Sequence, residues 1–156
     1  MRTYDLIIDA ANARGADLEF AGPQSQSSVD ALEFFFGVAL PPSYRQFLLE
    51  CGAGGTIPGF SGVWEDVNEI EEVQVVADTL ACRRDFDLPD DHIVVHYDDE
   101  TLAIWVLAVA TRDSKGESPV LGYNAVSKCL EDKIADDFDA LVRECYAWNE
   151  DAGSDV

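Results

Sequence analysis

Tyr44, Phe47, Leu48 and Cys51 recur at three- and four-residue steps, the spacing of a helix with one apolar stripe. They lie in the most strongly patterned stretch of the chain, LPPSYRQFLLECGAGG (residues 40–55). Pro41 and Pro42 suit a first helical turn, where a missing backbone N–H costs little. Gly52 supplies a left-handed residue to stop the helix, and Gly54 and Gly55 keep the chain turning. The preceding pattern predicts a helix over 29–36, with Leu32, Phe35 and Phe36 inward, Ser28 as N-cap, Asp30 near the positive dipole end and Gly37 as the break. Residues 3–14 read as a shorter helix with Leu6, Ile7 and Ala10 on one side, and 22–28 (GPQSQSS) as a loop.

Beyond Gly55 the pattern changes. Residues 56–64 (TIPGFSGVW) predict a short strand with a bend, and 67–82 a helix carrying Ile70, Val73, Val76, Ala77 and Leu80, with Asn68 as its cap. Residues 93–97 and 102–109 are rich in β-formers and flank a hairpin connection at 98–101. A turn at 113–117 leads to a third strand, 119–123. Phe138, Leu141, Val142, Cys145 and Trp148 form the stripe of a closing helix over 136–148, and the acidic tail 150–156 is expected to fray. Helices first, an antiparallel meander and a closing helix predict one α+β domain over residues 1–149.

Charge changes the picture more than composition does. Across 156 residues, 31 Asp and Glu oppose 10 Lys and Arg, a formal charge of −21. Such a field repels nucleic acid and anionic membranes and draws basic partners from a distance; it also suits a high-salt habitat. The longest apolar run, 102–110, is too short to span a bilayer, and no signal-peptide pattern is present. Cys51, Cys82, Cys129 and Cys145 form no CxxC pair, so a reduced, cytoplasmic protein is the expectation.

No catalytic constellation emerges. The glycines of CGAGG end a helix, so the dipole points the wrong way for a phosphate, and no Lys-Ser/Thr pair follows them. Ser61 lies in GFSGV, which fails the second glycine of a nucleophile elbow. His92 and His96 stand four apart in strand-like sequence, about 13 Å along a strand and poorly placed for one metal ion. They read as a turn-edge and a cross-strand histidine. No metal or other cofactor is expected. Core packing is the default for Trp105 and Trp148. Trp64 is different because Glu65 and Asp66 follow it directly, an aromatic beside carboxylates as in many protein-binding patches. Asp98, Asp99 and Glu100 place three like charges at a hairpin tip, a contact for a cationic surface.

Taken together, the 29–36 helix, LPPSYRQFLLECGAGG, GFSGVW, IVVHYDDETLAIWVLAV and DDFDALVREC resemble the SUKH superfamily over residues 28–145. Leu40, Pro41, Tyr44, Phe47, Leu48, Gly52, Gly54 and Gly55 carry the most specific part of the resemblance, and their roles are structural. The resemblance implies a small non-catalytic α+β binding module. Bacterial members are immunity proteins of polymorphic toxin systems, and fungal relatives act in cell-wall regulation. For this chain it implies direct binding and occlusion of a cationic toxin domain, often a nuclease. Trp64, Glu65, Asp66, Asp98, Asp99 and Glu100 are the candidate contact residues. The alternatives are a regulatory adaptor for a host protein and, last, a hydrolase using the acidic clusters. Neither oligomeric state nor the toxin's identity is written in one sequence.

Overall fold

The computed structural model describes residues 4–13, 15, 18–55, 59–64 and 69–154. Five helices and a four-stranded sheet follow one another as α1 (Asp5–Ala13), α2 (Gln26–Phe36), α3 (Pro42–Glu50), α4 (Gln74–Phe86), β1 (His92–Asp98), β2 (Ala103–Ala108), β3 (Val120–Asn124), β4 (Cys129–Ala135) and α5 (Phe138–Ser154). The strands run antiparallel in the order β1-β2-β3-β4, a plain meander. This is the α+β architecture expected from the sequence.

The main core lies on one face of the sheet and draws on all five helices, including Val29 and Leu32 of α2 and Val75 and Val76 of α4. At its centre Phe138 meets Tyr44, Phe47 and Phe60 edge to face, and Phe47 meets Phe60 likewise, with ring centroids 4.9–5.8 Å apart. Tyr44, Phe47, Leu48 and Cys51 are all buried, as the stripe predicts. A second, smaller core sits on the opposite face, where Cys82, Leu88, Val94, Ile104, Val106 and Tyr123 pack together. Val95 is an extra residue in β1, since Val94 pairs with Val106 and His96 with Trp105.

Helix α3 carries no side-chain cap of its own. Its N-terminus is closed instead by Glu117 from the β2–β3 connection, which accepts the Ser43 N–H at 3.0 Å and the Ser43 hydroxyl at 2.8 Å. Burial raises the Glu117 carboxyl above its ordinary pKa, opposed by those two hydrogen bonds. Ser43 Oγ also accepts the Asp139 N–H of α5, so one serine ties together the starts of two helices.

Several boundaries differ from the sequence reading. Helix α2 starts earlier: Ser25 is its N-cap, accepting the Ser28 N–H at 3.2 Å, so Ser28 lies inside the first turn. Residues 59–64 form no regular strand; Phe60 makes only an isolated bridge with Gly54, because Gly-rich backbone crosses here at close range. The expected 67–82 helix is broken at Val73, whose extended backbone separates a 3₁₀ turn (Ile70–Glu72) from α4; Asn68 lies outside the described residues. Strand β4 was absent from the sequence reading. Helix α5 is capped by Asp137, which accepts the Ala140 N–H at 2.7 Å. It extends through Ser154, taking in most of the segment assigned to a fraying tail.

Candidate functional site

The glycine segment after α3 works as a backbone clamp. On one side Ala21 donates to the Ala53 carbonyl and Gly55 to that of Glu19; on the other, Phe60 donates to Gly54 and Val63 to Gly52. Gly52 has φ 80°, the left-handed stop predicted for it. Gly54, at φ 110°, permits a close approach: a Cβ there would collide with the Glu19 carbonyl and lie 3.2 Å from Trp64 Cη2. The family-type glycines therefore press the 59–64 segment onto the core and set the seat of Trp64.

More bonds fix that segment from the sheet and helix sides. The buried Tyr44 hydroxyl donates to the Ser61 carbonyl at 2.6 Å, and Ser61 N–H donates to the Val95 carbonyl of β1 at 2.8 Å. Ser61 Oγ donates to Asp78 of α4 at 2.6 Å. Burial raises the Asp78 carboxyl above its ordinary range, countered by the Ser61 hydrogen bond and by the nearby His96. The Ser61 hydroxyl is thus buried with its proton committed to a carboxylate, an arrangement suited to holding the segment in place. Burial also pushes the Cys82 thiol up to about 12 and the Cys145 thiol up to about 11, which keeps both protonated at neutral pH.

Trp64 emerges from this anchored segment 44% exposed. Its indole N–H donates to Gln74 Oε1 at 2.8 Å, and the same oxygen accepts Gly62 N–H at 3.2 Å. Trp64 and Gln74 line a cleft of about 600 Å³ together with His96, Asp98, Asp99 and Trp105. His96 stacks on Trp105, ring centroids 4.4 Å apart, and its Nδ1 donates to the Gly59 carbonyl at 2.8 Å. Asp98 is held below the usual carboxylate range, chiefly by the Glu100 backbone N–H it accepts at 3.0 Å. Its charge therefore persists well into acid.

Of the residues expected to make contact, the structure brings Trp64, Asp98 and Asp99 into one cleft. Glu100 is exposed on the adjoining turn without lining it, and Glu65 and Asp66 lie outside the described residues. Gln74, His96 and Trp105 were not foreseen as lining residues. His96 is cross-strand as read, and His92 is buried at the strand start with Nδ1 2.7 Å from Asp91. Trp105 is only partly buried. No Lys or Arg is among the described residues lining the cleft, so an exposed aromatic meets an unopposed acidic wall.

The architecture is that of a small α+β domain whose sheet and glycine clamp present one aromatic, acidic cleft. A family model described as SMI1-KNR4 cell-wall (SUKH_5) matches residues 5–149, and the chain belongs to this family. Membership supports a toxin-immunity or SMI1/KNR4-like role and a protein as binding partner, in a family generally without catalytic activity. No curated protein matches the chain. Among the described residues, no helix is long and apolar enough to cross a membrane.

Proposed function

We propose that this chain is a non-catalytic immunity protein that neutralises one cationic toxin domain, a basic nuclease, by binding it in the cytoplasm and covering its substrate-binding surface. The observation that carries this reading is Trp64, 44% exposed yet anchored by Gln74, beside the carboxylates of Asp98 and Asp99. A rigid, half-exposed tryptophan loses little entropy on binding and can fill a pocket on a partner. Carboxylates around it pair with the Lys and Arg that a nuclease uses to hold phosphate, and occupying them excludes nucleic acid. The −21 charge speeds encounter with such a partner and repels the nucleic acid competing for it.

The test is to purify the toxin domain encoded beside this chain and assay its activity with increasing amounts of the protein. Loss of activity near one equivalent supports the proposal. A toxin domain that neither binds nor loses activity overturns it, and capture of a cell-envelope enzyme instead would favour the regulatory-adaptor role.

A further inference from the structure

Across the sheet, four positions stand side by side on the face that carries the main core: His96 of β1, Trp105 of β2, Gly122 of β3 and Glu131 of β4. Trp105 pairs with Gly122, and a Cβ placed on Gly122 would lie 3.5 Å from Glu131 Cβ and 3.8 Å from Ile134 Cδ1. His96 covers the β1 side of the indole. On the β3 side, no side chain rises from Gly122. A cleft of about 590 Å³ opens there, lined by Trp105, Gly122, Glu131, Asp132, Leu102 and Val126.

Neither a left-handed backbone nor a close contact requires glycine at this point. It lies in β3 opposite an extra residue of β4, since Leu121 pairs with Lys133 and Tyr123 with Leu130; its φ is outside the left-handed region, and an added methyl group would meet only ordinary van der Waals contacts. Glycine in a strand interior loses side-chain packing and costs conformational entropy, so a strand-forming residue would serve the fold better. What glycine alone provides is the hollow: an apolar floor, an indole on one side, a carboxylate on the other and no cation among the described lining residues.

We infer that this hollow receives an arginine side chain of the protein partner. The aliphatic stem lies over Gly122, the planar guanidinium stacks on Trp105, and Glu131 accepts its N–H groups. A lysine would keep the charge and lose the stacking and the fork of donors. The inference rests on the reading of the chain as a binder of cationic domains. It adds a second contact, across Trp105 from the Trp64 cleft, and names the chemistry recognised.

The experiment is a two-dimensional amide and indole NMR titration of the full chain with N-acetyl-arginine amide. Its lysine counterpart and Gly122→Val and Glu131→Gln variants serve as comparisons. The expected result is a saturable shift of the Trp105 indole and the Gly122 and Glu131 amides, weaker for lysine and at least about tenfold weaker in either variant. Gly122→Val keeps the thermal midpoint of the wild type or raises it. With the toxin domain, Gly122→Val weakens binding while the Trp64 cleft is untouched. Arginine shifts spread evenly over the acidic surface, or unchanged in Gly122→Val, overturn the inference. If the wild-type chain fails to bind the toxin domain, the immunity reading falls; if wild type and Gly122→Val bind it equally, only the arginine slot does.

Discussion

The two edges of the sheet are treated in opposite ways. At the β1 edge, Thr79 of α4 accepts the Val94 N–H at 3.0 Å and Ser61 N–H donates to the Val95 carbonyl at 2.8 Å, so backbone groups are satisfied by buried neighbours. At the β4 edge, Cys129 to Lys133 are all exposed and Glu131, Asp132 and Lys133 face solvent. Charged side chains of this kind discourage pairing with a stray strand. The first edge is part of the core and holds the segment that presents Trp64. The second is free, and its carboxylates border the hollow at Gly122. The buried contacts gather at the β1 edge, which also seats the Trp64 cleft, while the hollow at Gly122 opens toward the β4 edge.

The largest effect separating the edges comes from truncating apolar side chains. Ile93→Ala in β1 should cost about 2–5 kcal/mol, whereas Leu130→Ala in β4 should stay within about 0.5 kcal/mol, both measured by urea unfolding. Equal losses would show that β4 is as integral to the core as β1. Next comes Thr79→Val, which keeps the shape but leaves the Val94 N–H buried without an acceptor. A loss of about 1–3 kcal/mol is expected, with a change near zero showing that α4 does not seal this edge.

A smaller effect concerns pH. Asp78 has its folded-state pKa raised by burial, so the folded protein holds that proton to higher pH than the unfolded chain. The favourable contribution exists at low pH and is lost as pH rises through the raised folded value. Asp78→Asn keeps an acceptor for Ser61 and removes the charge. Its stability relative to wild type should therefore increase from about pH 4 toward neutrality and vanish below it, as followed by thermal unfolding across pH. A difference independent of pH would place the carboxylate in an unperturbed setting. Smallest of all, Asp132→Asn and Lys133→Gln should each shift stability by no more than about 0.5 kcal/mol.

The contrast between edges also marks what the sequence could say. Ile93 to Val95 advertise a strand because burial on both faces demands consecutive apolar residues, and β1 is legible for that reason. Strand β4, with CLEDKIA, pairs through its backbone while showing water a charged face, and hydropathy reports burial, not pairing. Gly37 and Gly52 were legible as helix stops because each demands a left-handed conformation locally. The cap on α3 was not, since Glu117 lies 74 residues from Ser43 and only the fold brings them together. In the cleft, Trp64 stood out by its acidic sequence neighbours and Asp98 and Asp99 by their place on a hairpin. Trp105 and His96 look like any strand pair, and whether a strand face is covered by a helix depends on where the helices end. Gly122 gave no sign because its significance is a side chain that is missing beside Trp105.

The central claim is that the Trp64 cleft is the contact surface for a cationic toxin domain. Calorimetric titration of that domain into wild type and Trp64→Ala, at low and high salt, tests it most directly. Wild-type affinity should fall with salt. Trp64→Ala, which keeps the wild-type unfolding midpoint, should bind about thirtyfold or more weakly. Equal affinity of the two proteins for the toxin domain would contradict it.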